Sequence, residues 1–244
     1  MYIIIGGSSG VGRALAVEFA SKGCDLLLVS REDRDTQAIA SDLMLRFNVS
    51  INVVKLDLSS NQPNFEKILE KVDLAGRSFK GMLMPAGTVI DRDVLEIEID
   101  STEVLFRVNC LSIICLVTEV LKRSHEDCEL NIVGFGSIAS VRARSTNMVY
   151  STAKTALMFY FGSLRHACVK RKTTVQFYVL GYMDTNLAFA YDVPLPKGNP
   201  NKLAQIVYRN TNKDIGVKFY PRYWFIVGVI LKLIPWPVFK HLKI

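Results

Sequence analysis

Short apolar runs alternate with longer amphipathic ones along the whole chain. The runs at 2–5 (YIII), 25–29 (DLLLV), 51–56 (INVVKL), 81–85 (GMLMP), 130–135 (LNIVGF) and 175–179 (VQFYV) read as strands. Most are apolar at consecutive positions, the pattern of strands buried on both faces of a parallel sheet. Helix-like segments lie between them, at 12–23, 35–47, 64–72, 101–123 and 150–170, and another begins near Asn199-Pro200. A last run at 216–220 (GVKFY) predicts a seventh strand. Such repetition implies right-handed crossovers and one doubly wound α/β domain, a mostly parallel seven-stranded sheet with helices on both faces. No linker, repeat or low-complexity tract divides it. The expected organisation is a domain over residues 1–220 and an apolar, basic tail over 221–244.

Composition changes this picture mainly at the end of the chain. The 244 residues are enough for one well-buried α/β domain, and half of them are hydrophobic. The net charge is +7, but Lys218, Arg222, Lys232, Lys240 and Lys243 supply most of it, with no acid beyond residue 217. Basic residues interleaved with bulky apolar ones suit an anionic membrane surface better than nucleic acid, for which none of the usual grooves or stacking aromatics is indicated. Cys24, Cys110, Cys115, Cys128 and Cys168 form no CxxC pair, which fits thiols in a reducing compartment. His125, His166 and His241 lack partner ligands in the sequence, so no metal is assigned. The apolar run at residue 2 flows directly into a glycine turn, unlike a signal peptide, and a cytoplasmic location is the expectation.

The first chemical signal is GGSSGVGR at 6–13, set between a strand and a helix. Glycines there permit a tight turn and close approach of backbone to a pyrophosphate, with helix N–H groups as donors. The second strand ends in Ser30-Arg31, with the acid Glu32 one residue later. A guanidinium suits a 2′-phosphate, so NADP(H) is favoured over NAD(H); the alternative is that Arg31 pairs with Glu32 or Asp33 and is merely solvated. The second signal is VYSTAK at 149–154, which puts Tyr150 and Lys154 four residues apart on one helix face. Alone this pair is weak. A lysine ammonium beside a phenol with an ordinary pKa of about 10 is nevertheless how an acid/base group comes to work near neutrality.

Taken together, these residues resemble the short-chain dehydrogenase/reductase family, whose fold is a Rossmann-type sheet, from residue 2 to about residue 186. GGSSGVG is similar to the family's cofactor turn, and Asp57 in KLDLS stands where its adenine-contacting Asp lies. Ala86-Gly87 in MPAG, Asn109 in FRVNC, Ser137 in GFGSIAS, Tyr150 and Lys154 in VYSTAK, and Met183 and Thr185 in LGYMDTN follow in the family's order. The resemblance implies a cofactor site of Gly6, Ser8, Ser9, Gly10, Val11, Gly12, Ser30, Arg31, Asp57, Leu58, Ala86, Gly87, Tyr150, Lys154, Met183 and Thr185. It implies that Tyr150 is the proton donor, Lys154 its tuner and ribose ligand, Ser137 the partner of the substrate oxygen, and Asn109 the holder of a water joining Lys154 to solvent. Ser137 could instead cap a turn, and Asn109 could bridge a helix irregularity. Ile5, Pro85 and Leu180 depart from the family's usual Thr, Asn and Pro. Pairing of two copies through helices at 104–121 and 150–169 is a further implication.

The tail, FYPRYWFIVGVILKLIPWPVFKHLKI, is too short between Pro221 and Pro235 to span a bilayer, which takes about 20 residues. Its tryptophans, Tyr223 and cations suit a membrane interface; packing on its own domain or on a second copy is the alternative. It resembles, less specifically, the ending of polyprenyl-phosphate keto-sugar reductases such as decaprenylphosphoryl-2-keto-pentose reductases of cell-envelope polysaccharide biosynthesis. The expectation is NADPH-dependent reduction of a ketone to a secondary alcohol on a lipid-linked substrate, by a peripheral protein on the inner face of the membrane. The alternatives are a 3-keto-lipid or ketoacyl reductase, and a non-catalytic NADP-binding sensor or scaffold.

Overall fold

A computed structural model describes residues 1–8, 10–90, 93–185 and 195–242. Seven strands form one sheet: β1 (Tyr2–Ile5), β2 (Leu26–Ser30), β3 (Ile51–Lys55), β4 (Gly81–Met84), β5 (Leu130–Ser137), β6 (Thr173–Leu180) and β7 (Gly216–Tyr220). They lie in the order β3-β2-β1-β4-β5-β6-β7, and every pairing is parallel. The strand order reverses beside β1, so the carboxyl ends of β1 and β4 border the crevice where ligands bind in such sheets.

Alternation of side chains along each strand divides the core in two. Ile3, Ile5, Leu27, Val29 and Met82 face α3 (Glu66–Ala75), α5 (Ser112–Arg123) and α6 (Met148–Ala167). Tyr2, Ile4, Leu26, Leu28, Leu83 and Val133 face α1 (Gly10–Ser21), α2 (Asp33–Phe47) and α7 (Pro200–Arg209). Both faces of the central strands are therefore covered, which explains why β1, β2 and β4 lack alternation between apolar and polar residues.

The single helix expected over 101–123 is interrupted. α4 (Ile99–Phe106) and α5 are joined by a π-helical turn at Arg107–Leu111, where the Ser112 N–H reaches back five residues to Arg107 O. Asn109 is the physical reason: its Nδ2 donates to Leu105 O at 2.9 Å, the carbonyl that the backbone N–H of residue 109 would take in a regular helix. Among the described residues, Ile99–Arg123 is also the one stretch long and apolar enough to cross a membrane, yet half of its most apolar window is buried, as in a core helix. Of the five cysteines, Cys110 and Cys168 are buried, whereas Cys115 is exposed.

The tail forms α8 (Tyr223–Leu233) and the short α9 (Trp236–Phe239). Trp224 and Gly228 face the domain, and a Cβ on Gly181 would lie 1.9 Å from the Trp224 indole nitrogen. Arg142, between β5 and α6, donates from Nη1 to Leu231 O, Lys232 O and Ile234 O, and its guanidinium stacks 3.8 Å from the Phe239 ring. Phe225, Ile226, Ile230, Leu233 and Trp236 are exposed. The tail thus packs on its own domain by one face and presents an apolar outer face. Lys243 lies outside the described residues.

Candidate active site

A cleft of about 590 Å³ runs across the carboxyl ends of β1, β2, β4, β5 and β6. At its centre, the turn after β1 is tied to the sheet through backbone alone: Gly6 N donates to Val29 O at 2.7 Å and Ala86 N to Ile5 O at 3.0 Å. These bonds use no side chain of Ile5 or Pro85, two of the three departures from family usage. Gly6 has φ +91°, and a Cβ on Gly12 would fall 1.8 Å from Gly6 O. Only glycine fits at both, and their contact brings the N-terminus of α1 to the cleft. Ser8, Gly10 and Val11 line the opening, whereas Gly12 lies behind it. Ser9 lies outside the described residues.

At the β2 end of the cleft, Ser30 is buried and its hydroxyl donates to Glu32 O at 2.8 Å and bonds Thr36, joining β2 to α2. That hydroxyl supports the wall and has little left for a ligand. Arg31 lines the cleft and its Nε sits 3.5 Å from Glu32, with both side chains more than two-thirds exposed. An exposed pair of this kind contributes about 0–1 kcal/mol and yields readily to a stronger anion. The Asp57 carboxylate accepts from Ser59 Oγ at 2.7 Å and Ser59 N at 2.9 Å. These hydrogen bonds, helped by Arg31, hold its pKa below the usual range despite some desolvation. Leu58 lines the wall beside it.

Ser137, Tyr150 and Lys154 line the same cleft from β5 and α6. Lys154 is buried, with Nζ 3.3 Å from Phe135 O and 3.4 Å from Ala86 O. Burial pulls its pKa down to about 8, with Cys110 opposing the shift. An ammonium carries three donors, and these two long contacts leave one for a ligand. Gly87 is the complement of this lysine, because a Cβ there would lie 2.9 Å from Asn109 Oδ1 and 3.2 Å from Lys154 Nζ. Ser137 Oγ accepts from Ala139 N at 3.2 Å and keeps its proton available. Met183 and Thr185 close the β6 side; Thr185 N donates to Met183 O at 2.9 Å. Asn186, at the end of the LGYMDTN motif, lies outside the described residues.

Asn109 does not line the cleft. Its Nδ2 donates to Thr88 O at 2.8 Å as well as to Leu105 O, and its Oδ1 accepts from Thr88 N at 3.2 Å. The side chain fixes the loop after β4, which in turn places Ala86 and Gly87 against Lys154. The sequence reading missed Asp93, a buried carboxylate that accepts from Val149 N and Tyr150 N at 2.8 Å each. No spacing signal pointed to it, because it caps α6 from more than fifty residues upstream. Arg144, also unforeseen, lines the cleft on the β5–α6 segment.

A family model described as short chain dehydrogenase matches residues 1–192. Among curated proteins, the chain is similar to a very-long-chain 3-oxoacyl-CoA reductase of Bos taurus, 23% identical over 243 residues, covering 98% of this chain and 77% of the relative. It is similar to an NADP-dependent 3-hydroxy acid dehydrogenase of Schizosaccharomyces pombe, 25% identical over 211 residues, covering 86% of this chain and 79% of that protein. Among solved structures, a short-chain dehydrogenase from Sphingobium yanoikuyae in complex with NADPH superposes with a TM-score of 0.77 at 20% identity, over 99% of this chain and 96% of that one. At that identity the likeness is one of fold.

Proposed function

The chain belongs to the short-chain dehydrogenase family, and on that premise we propose that it is an NADPH-dependent reductase turning a ketone into a secondary alcohol. The observation that carries this reading is Lys154, buried one helical turn from Tyr150, with its ammonium in the cleft that also holds the glycine turn. The residues fit a dinucleotide. The Gly6–Gly12 contact opens the helix N-terminus to a pyrophosphate, Asp57 can accept from an adenine, and Arg31 can exchange Glu32 for a 2′-phosphate. The two relatives with reductase or NADP-dependent names support the same direction and cofactor.

NADPH, when bound, would supply a hydride for the carbonyl carbon. Tyr150 Oη gives its proton to the carbonyl oxygen, and the Lys154 ammonium stabilises the phenolate that remains. Ser137 Oγ donates a hydrogen bond to the same oxygen and fixes the carbonyl between donors. Lys154 would use its remaining donor to hold the nicotinamide ribose. Asn109 acts on the site through Thr88 and the β4 loop.

We assign the substrate to ketones carried by lipid, a polyprenyl-phosphate keto-sugar being the preferred class. The support is the outer face of α8 and α9, where Phe225, Ile230, Leu233 and Trp236 are exposed among Lys232 and Lys240, in a stretch of sequence with no acid after residue 217. Such a face suits an anionic headgroup layer, with each cation contributing on the order of 1 kcal/mol. On this reading the protein works peripherally at the cytoplasmic surface of a membrane. The exposed Leu111 and Phe159, on the π turn and α6, support pairing of two copies. A second reading, reduction of a 3-oxoacyl chain, is favoured by the Bos taurus relative.

The test is NADPH oxidation by purified protein with lipid-linked keto-sugars, 3-oxoacyl thioesters and small soluble ketones, with Tyr150→Phe as control. Reduction of lipid-linked substrates that Tyr150→Phe slows by roughly 10² or more supports the proposal. Cellular function that survives Tyr150→Phe points to a scaffold instead. Removing the whole tail would uncover Gly181 and the Arg142 site, so the membrane reading is better tested by Phe225→Ser, Ile230→Ser and Trp236→Ser together. These should lower cosedimentation with phosphatidylglycerol vesicles; equal sedimentation would refute it.

A further inference from the structure

We propose that Arg144 binds an anionic group on the substrate, a carboxylate or a phosphate ester, while the ketone of the same molecule faces Tyr150. The proposal rests on the reductase reading above and names the class of substrate it takes. Its starting point is an unmatched donor: Arg144 lines the cleft, and its Nε is sealed from solvent with no hydrogen-bond acceptor. Buried donors are nearly always paired, so an exception on a binding surface asks for a ligand.

Nothing among the described residues neutralises this guanidinium. The acids lining the cleft, Glu32, Asp35 and Asp57, follow β2 and β3, whereas Arg144 follows β5. Three strand spacings separate β2 from β5, roughly 14 Å at about 4.8 Å each. Asp93, on the loop after β4, is engaged by the N–H groups of Val149 and Tyr150. The other cation at this end, Lys154, adds to the positive potential instead of cancelling it. The same segment also provides a contrast. Arg142 is fully engaged by the carbonyls ending α8 and by the Phe239 ring, while Arg144, two residues on, faces the cleft unpaired.

An arginine keeps its charge at every accessible pH, and its planar fork matches carboxylate or phosphate oxygens in pairs. A neutral ketone would leave that charge unanswered inside the cleft. An anionic one would be oriented by it, with the reacting carbonyl held toward Ser137 and Tyr150.

The test uses matched pairs: 3-oxodecanoate against its methyl ester, and dihydroxyacetone phosphate against dihydroxyacetone, each with NADPH. We expect kcat/KM to favour the anionic member at least tenfold, this preference to collapse in Arg144→Gln, and Arg144→Lys to restore part of it. Which pair shows the effect separates carboxylate from phosphate. A second measurement needs no turnover: tryptophan fluorescence of NADPH-loaded protein titrated with 3-hydroxydecanoate or glycerol 3-phosphate, and with their neutral counterparts. Anion binding that depends on Arg144 without any turnover would keep this proposal and overturn the reductase reading. Turnover with the same preference in wild type and Arg144→Gln would overturn this proposal alone, as would anion binding by neither protein. A loss confined to NADPH affinity would assign Arg144 to the cofactor and also overturn it.

Discussion

Asp93 holds Tyr150 by its backbone: the carboxylate oxygen Oδ2 accepts the Tyr150 N–H at 2.8 Å, while Oδ1 takes that of Val149. The helix that carries the candidate acid is thus capped by a residue on a different loop, after β4. Asn147, at the sequence position before the helix, makes no side-chain cap and adopts φ 55°. Removing both bonds should destabilise the fold by about 2 kcal/mol, the upper range for losing a whole helix cap. Urea titration of Asp93→Ala should show this loss, with Asp93→Asn intermediate. Turnover of Asp93→Ala should fall more than its affinity for NADPH, because the displaced group is Tyr150.

Tyr150→Phe should lower kcat by roughly 10² to 10⁴, the usual contribution of a general acid. NADPH binding, followed by fluorescence, should persist, because the phenol oxygen alone is removed. Equal losses in both would mean that Tyr150 serves binding instead of proton transfer.

Lys154 links activity to pH. With its pKa near 8, mainly through burial, it is charged in the free protein only below that value. The kcat/KM for reduction, which reports the free enzyme, should therefore decline as pH rises through about 8. The stability effect has the opposite sign. Between about 8 and the ordinary lysine value of 10.5, the unfolded chain keeps a proton that the folded one has released. Stability should rise with pH in that window and be flat below it, and Lys154→Met should lack the rise. Denaturation midpoints at pH 7, 8 and 9.5 for both proteins would check this.

Arg31→Ala should lose about tenfold in kcat/KM with NADPH and little with NADH, since the guanidinium is the one group expected to meet a 2′-phosphate. Its exposed contact with Glu32 is too weak to make the substitution costly for folding.

The strand-and-helix pattern could be read along the chain because each period is local, and so could the site residues that come with local spacing. β1 and β7 fall where their apolar runs predicted, and Tyr150 and Lys154 share a helix face by their separation alone. The helix expected over 101–123 was misread at one point, since its apolar pattern continues through the π turn and only Asn109's side-chain bonds reveal the break.

What the tertiary structure decided are the contacts between distant segments. Asp93 reaches α6, Arg142 reaches the end of α8, and Gly87 makes room for both Lys154 and Asn109. Among the described residues Arg144 Nε has no acceptor, and the acids lining the cleft follow β2 and β3. By itself the sequence determined the layers, the phosphate turn and the Tyr-Lys pair, which depend on residues within a turn or two of one another. Which carboxylate caps the helix, which arginine lines the cleft and which face of the tail points outward depend on strand order, and strand order is set by how the two cores close over the sheet.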